Sequence, residues 1–276
     1  MEKIQLLPFI TIEGIGAASG IVYLDNSLFI VSDNSNFLYQ YRITEKSLEK
    51  IKLFESRPEI SPKKDKADFE ALTLFDNKLY LFGSGSTKIR NMRVTYNLKN
   101  KEVKEKNLTK IYKSLADTIS IAADALNIEG VISTDALTYF FQRGNGAKAQ
   151  NGVFCYDKKN KTVQFKLITL PKLKGVAATF TDAILVEDKI FFLAAAEDTL
   201  STYYDGEILG SLIGRMNLQT MAVDFTEKIS DTNKFEGLTL HKKTATQMEF
   251  LICEDNDNEV MKTDIYLLKL ETNFGF

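Results

Sequence analysis

Residues 67–87 read ADFEALTLFDNKLYLFGSGST. Two short apolar runs flank an Asp-Asn pair, the composition of a tight turn between two strands. Glu70 stands at the head of the first run, where burial is about to begin. A carboxylate there is costly unless something compensates it. The phrase recurs along the chain as ASGIVYLDNSLFIVSDNS (18–35), IEGVISTDALTYFFQRGN (128–145), TDAILVEDKIFFLAAAED (181–198) and FEGLTLHKKTATQMEFLICEDN (235–256). Each copy has a polar or acidic head, a small residue, an apolar strand, a polar turn, a second apolar strand and a polar loop. The heads read as Ser19, Glu70, Glu129, Asp182 and Glu236. They recur roughly every 50 residues, a spacing in the range of propeller blades.

Each unit continues outward. Third strands are read at FLYQYRI, MRVTYNL, NGVFCYD, LIGRMNL and TDIYLLKL, and fourth strands at LEKIKLF, KNLTKIY, VQFKLITL and MAVDFTEKI. The fifth unit ends after its third strand, and KIQLLPFI at the N-terminus is the strand left to complete it. The expectation is an all-β, five-bladed β-propeller of four-stranded antiparallel blades, one domain spanning 1–276 and closed by the N-terminal strand. Its blades fall at about 15–56, 67–113, 127–170, 180–230, and 234–270 plus 3–12. A β-sandwich would also use such hairpins, but gives no reason to repeat an acid at one phase. The second strands are apolar on both faces, as expected where blades cover each other. One helix is expected at SLADTISIAADAL (114–126), with Ser114 as its N-cap.

The chain has 276 residues, 44% hydrophobic and 26% charged, with a net charge of −2. That balance favours neither nucleic acid nor an anionic membrane as partner. Cys155 and Cys253 make no disulfide framework and lie in apolar runs, so both are expected to be buried. The N-terminus lacks a basic segment followed by a long apolar one, and the expected location is the cytoplasm. The one histidine, His241, follows an inner strand and reads as a solvated turn residue.

In a propeller the first strand of each blade lines the central channel. The five heads therefore converge on one axis. Four carboxylates and a hydroxyl facing a narrow channel call for protonation or a cation. Such an all-oxygen set suits Ca²⁺, and suits Mg²⁺ less well. The expected metal ligands are Ser19, Glu70, Glu129, Asp182 and Glu236.

This ring resembles that of the calcium-activated nucleotidases, the apyrase-type five-bladed propellers, in which serines and glutamates at this phase hold a central Ca²⁺. Ser19, Glu70, Glu129 and Glu236 match that pattern, and Asp182 stands where the family has a serine. IVSDNSNFLY resembles the family's acidic segment at Asp33, LFGSGST its Gly-rich segment, FFQRGN its arginine segment at Arg143, and AAAEDT an acidic segment at Glu197. The family's tryptophans and second arginine have no counterpart here. The chain also resembles phytase-like and uncharacterised bacterial propellers. The resemblance implies a metal-dependent hydrolase of phosphate-containing or ester substrates, taking a small anionic ligand. The alternative is a non-catalytic binding propeller with a structural axial metal.

Ligands of propellers bind at a channel mouth, on loops such as those after the second strands. On those loops Asp33, Arg143 and Glu197 are the expected catalytic residues. Ser84, Ser86, Lys88, Arg90, Asn145 and Glu254 are the expected substrate-binding set, with Asp255 beside them. Arginine there suits a phosphate or carboxylate. Acids there suit the orientation of water.

Overall fold

The computed structural model describes residues 3–62, 64–144, 150–199, 206–255 and 261–271. Strand β1 (Lys3–Glu13) comes first. Blade 1 follows as β2 (Ala18–Leu24), β3 (Ser27–Ser32), β4 (Phe37–Arg42) and β5 (Ser47–Lys52). Blade 2 is β6 (Phe69–Phe75), β7 (Lys78–Gly83), β8 (Met92–Asn97) and β9 (Val103–Asn107). Helix α1 (Thr109–Thr118) leads to blade 3, made of β10 (Ile128–Ser133), β11 (Leu137–Gln142), β12 (Gly152–Asp157) and β13 (Val163–Leu167). A small hairpin, β14 (Lys172–Leu173) and β15 (Val176–Ala177), precedes blade 4. Blade 4 is β16 (Thr179–Val186), β17 (Lys189–Asp198), β18 (Glu207–Asn217) and β19 (Val223–Ser230). Blade 5 is β20 (Phe235–Lys243), β21 (Gln247–Glu254) and β22 (Lys262–Glu271), with β1 as its outer strand.

β1 pairs antiparallel with β22 from Lys3↔Glu271 to Glu13↔Lys262, so the two ends of the chain close the ring within one blade. The inner strands β2, β6, β10, β16 and β20 each touch the next, and β20 returns to β2. This is the expected five-bladed propeller. The second strands are its most deeply buried elements: every residue of β3 and nearly every residue of β17 is buried. Among the described residues no helix is long and apolar enough to cross a membrane.

Two local devices repeat. The β2–β3 and β6–β7 turns place Asp25, Asn26, Asp76 and Asn77 at positive φ, the geometry that matches strand twist and that Asp and Asn tolerate. Between third and fourth strands, Asn97, Asp157 and Asn217 each accept two backbone N–H bonds through Oδ1. Four residues further on, Lys101, Lys161 and Met221 take positive φ and donate N–H to the same residues' carbonyls. An Asx turn closed by one left-handed residue therefore joins the third and fourth strands of three blades in the same way.

Three expectations are corrected here. The helix begins five residues before Ser114, which lies inside it and donates to the Ile111 carbonyl. Asn107 Oδ1 accepts the Thr109 N–H at the helix start instead. The helix therefore takes residues expected to extend a strand through 106–112, and β9 ends at Asn107. His241 lies within β20 rather than in a turn, its ring edge-on to Tyr23 at 4.8 Å and to Phe9 at 5.7 Å. Cys253 is buried as expected, but Cys155 is only half-buried.

Candidate functional site: an acidic channel mouth

Each inner strand begins with a β-bulge, and the bulged residue is the one the register skips: Ser19, Glu70, Glu129, Thr181 and Glu236. In the fourth blade the head of the repeat is thus Thr181, not Asp182. Asp182 aligns with Gly20, Ala71, Gly130 and Gly237, the small residues where neighbouring inner strands approach most closely. A Cβ at Gly130 would meet the Ala183 nitrogen at 2.8 Å, and one at Gly237 would meet the Ile21 nitrogen at 2.9 Å. Asp182 uses that proximity. Its carboxylate accepts the Ala183 N–H and, across the seam, the Leu238 N–H, both at 2.7 Å. Burial pushes its carboxyl well above the usual range. The sequence signal for the true phase is the apolar residue before each head, Phe69, Ile128, Phe180 and Phe235.

The two hydroxyls of the ring serve the seams. Ser19 Oγ donates to the Phe69 carbonyl of the next blade, and Thr181 Oγ1 to the Phe235 carbonyl at 2.6 Å. The three glutamates meet different fates. Glu129 Oε1 accepts from Asn127 Nδ2 at 2.7 Å and lies 3.2 Å from Arg143. Glu236 lies 2.8 Å from Lys234. Glu70, partly exposed to the channel, has no hydrogen bond or ion pair among the described residues. Burial pushes its carboxyl well above the ordinary range, and repulsion from Asp68, Glu129, Glu236 and Asp33 adds to this.

A second tier stands above the ring. The N–H of Asp33, Ser84, Arg143 and Asp255 donates to the carbonyl of Ala17, Asp68, Asn127 and Lys234 respectively. Thr179 and Ala195 are the paired equivalents in blade 4. The fold therefore brings the loops after the second strands directly over the residues that precede each ring position. Lys66 pairs with Asp33 and lies 2.9 Å from Asp68 Oδ1. Arg90 lies 2.8 Å from Asp68 Oδ2 and donates to Ser86 Oγ at 2.7 Å. Ser84 also donates to Asp68. Arg143 pairs with Glu197 as well as Glu129, and Glu197 Oε1 accepts the Gly206 N–H at 2.6 Å. Lys234 reaches Asp255 at 3.5 Å.

The structure thus joins Asp33, Ser84, Ser86, Arg90, Arg143 and Glu197 to the mouth, but turns Ser84 and Arg90 inward to Asp68, with the Ser86 hydroxyl between those two. Ser84 is wholly buried and Arg90 is 4% exposed. Lys88 is exposed, outside that network among the described residues. Glu254 is half-buried and accepts from the Tyr266 hydroxyl at 3.2 Å. Asn145 lies outside the described residues. The sequence reading missed Lys66, Asp68, Asn127 and Lys234. Three of these, Asp68, Asn127 and Lys234, sit two residues before a ring position, a place that becomes informative once the bulge phase is set.

Of the expected axial set, Glu70 belongs to a close group of carboxylates. Among the described residues, the carboxylates that gather within 4.8 Å are those of Asp33, Asp68 and Glu70. Asp33 Oδ1 is fully buried there without a hydrogen-bond partner. Burial raises the Asp33 carboxyl, against the pull of Lys66.

Fold and site together define a five-bladed β-propeller with an acidic, internally ion-paired channel mouth. The chain belongs to the DUF6929 family, described as a family of unknown function, whose pattern matches residues 14–270. No curated protein matches the sequence. Among solved structures, the chain is similar to a luciferin-regenerating enzyme, with TM-score 0.52, 11% identity, and 99% of this chain and 98% of that one covered. It is similar to the major allergen Mala s 1 of Malassezia sympodialis, with TM-score 0.59, 10% identity and 96% of each chain covered. It is also similar to the glutaminyl cyclase of Myxococcus xanthus, with TM-score 0.56, 9% identity and 96% of each chain covered. At such identities the likeness is one of fold.

Proposed function

We propose that this protein is a Ca²⁺-binding propeller, with the ion held at the mouth by Asp33, Asp68 and Glu70, and that the ion serves hydrolysis of a phosphate-containing or ester substrate. The observation that carries the reading is the approach of these three carboxylates within 4.8 Å. The fit is supported by the buried, unpartnered Asp33 Oδ1 and by the lack of any bond to Glu70 among the described residues. The donors are all oxygen and irregularly placed, which suits Ca²⁺ better than Mg²⁺. A cation there would supply Lewis acidity toward a phosphoryl or carboxyl oxygen. Asp33, with 18% of its side chain exposed, is the carboxylate placed to accept a proton from water. Arg143 and Glu197 hold each other and shape the opposite wall.

One further point supports the reading. Two of the fold's neighbours are named as enzymes, the luciferin-regenerating enzyme and the glutaminyl cyclase. A non-catalytic binding propeller is the second reading. It is favoured by the engagement of Lys66, Arg143 and Lys234, each between two carboxylates, which leaves recruitment of an anion to the metal. Elemental analysis and unfolding with and without chelator test the metal. An unchanged melt and no bound metal would refute it. Assays of nucleoside di- and triphosphates, phosphate monoesters and simple esters with added Ca²⁺ test the chemistry. Turnover lost on Asp33→Asn supports hydrolysis, and Ca²⁺ binding without turnover of any of them supports the second reading.

A further inference from the structure

Three cations of the mouth each bridge two carboxylates, yet their settings differ. Arg143 is clamped between Glu129 and Glu197. Lys234 lies between Glu236 and Asp255. Lys66 is set between Asp33 and Asp68, two of the carboxylates that gather within 4.8 Å, and the third, Glu70, has no bond of its own. Lys66 also stands on the connection between β5 and β6, which has no strand around that residue. Among the described residues its bonds run to carboxylates alone. Arg90, by contrast, is buried, and its Nη1 donates to both Asp68 and Ser86. Lys66 is buried as well, but an ammonium on a four-carbon stem reorients more readily than a planar guanidinium, and a cation between Asp33 and Asp68 would take over its partners.

We infer that Lys66 is the resident counter-ion of the mouth, the group a divalent cation displaces from Asp33 and Asp68, and that it thereby sets how tightly the cation binds. This rests on the cation reading above. The ammonium brings a single charge to a place where Asp33 Oδ1 has no hydrogen-bond partner and Glu70 has no ion pair. Exchange for a divalent ion supplies the missing charge and leaves Lys66 to return when the ion departs. The inference has a signature that a merely structural lysine lacks. Removing its charge should weaken the ion-free protein and strengthen ion binding at the same time.

Calorimetric titration with Ca²⁺, together with thermal unfolding with and without Ca²⁺, would test this on the full chain as wild type, Lys66→Met and Lys66→Arg. For Lys66→Met the account expects Ca²⁺ affinity to tighten by about tenfold or more, because a competing unit charge is removed from the site. The ion-free melting temperature should fall, and the Ca²⁺-induced rise should exceed that of wild type. Lys66→Arg keeps the charge and grips carboxylates in two places, so Ca²⁺ binding should weaken several-fold. Wild type that binds Ca²⁺, with Lys66→Met binding equally or more weakly, overturns the role of Lys66 and leaves the cation reading standing. If neither wild type nor Lys66→Met binds, both readings fall. Should Lys66→Met not fold, Lys66→Arg decides: unchanged affinity there overturns the inference.

Discussion

The two sides of the channel mouth are built from the same parts and end in different electrostatic states. On the blade 3–4 side, Arg143 faces Glu129 and Glu197; Asn127 donates to the same Glu129 oxygen as Arg143, and the Gly206 N–H donates to the other Glu197 oxygen. On the blade 1–2 side, Lys66 and Arg90 face Asp33 and Asp68, and Glu70 is left over. Each side has one carboxylate more than it has cations. On the first side both carboxylates receive donors, and Arg143 ties two blades together. On the second, Glu70 receives none among the described residues, and burial makes that costly. Equivalent positions of a repeat can thus be used once as a structural clamp and once as a binding site, the difference lying in whether the last carboxylate receives a donor.

The sharpest way to break this comparison is to remove Arg143. Arg143→Ala strands Glu129 and Glu197 in a buried setting, at a cost of about 3–5 kcal/mol. The melting temperature should drop by roughly 10 °C, with little change in Ca²⁺ affinity. A melt within a degree or two of wild type would show that the clamp is not structural. Arg143→Lys should recover only part of the loss, since an ammonium cannot serve both carboxylates with a planar fork.

Glu70→Gln probes the other side and should act with the opposite sign. The amide removes a carboxylate that burial and its neighbours disfavour. The ion-free protein should therefore melt higher, by roughly a few degrees, and the Ca²⁺-induced shift should disappear. A lower melt with an intact Ca²⁺ response would mean that Glu70 is paired in solution.

The pH dependence follows from the same group. Glu70 binds its proton more tightly in the folded protein than in the unfolded chain. Between the two pKa values the folded state holds more protons, so stability is greatest below the unfolded value and is lost as pH rises through the folded one. Asp33 contributes in the same direction. Unfolding followed from about pH 4.5 upward should show the ion-free protein losing stability toward neutral pH. Saturating Ca²⁺ should flatten that fall, because the ion stabilises the ionised carboxylates. A stability that rises over this range without Ca²⁺ would contradict the account.

The smallest effect is expected at Thr181. Thr181→Val leaves the Phe235 carbonyl without its donor and should cost about 1–2 kcal/mol, with no change in Ca²⁺ affinity. Loss of Ca²⁺ binding in that variant would place the ion on the axis with the whole ring.

The repeat made the fold legible in the sequence, and with it the closure by β1, because the orphan strand KIQLLPFI had one place to go. Ring positions were legible to within one residue. The slip at Asp182 arose because acidity was used as the marker of phase, whereas the bulge is set by the apolar residue before it. In blade 4 the small position holds an aspartate, which the close approach of β20 turns into a backbone cap. The Asx turn shared by Asn97, Asp157 and Asn217 was also present in the sequence, as a polar residue four places before Lys101, Lys161 and Met221. The pairing of charges was not legible. Lys66 and Asp33 are far apart in sequence, and the β5–β6 connection reaches the loop after β3 through the Ser35–Ile60 bridge and the Ser61 N–H on the Asn34 carbonyl. Nor could sequence show that Ser84 and Arg90 turn toward Asp68, since that depends on which carboxylate lies beneath them.

Crystals grown with Ca²⁺, measured for anomalous scattering, test the central claim most directly. The account predicts one strong peak bounded by Asp33, Asp68 and Glu70, with Lys66 withdrawn and Arg143 still between Glu129 and Glu197. A mouth without a peak, or a peak centred on Glu129 and Glu236 with Lys66 in place, would contradict it.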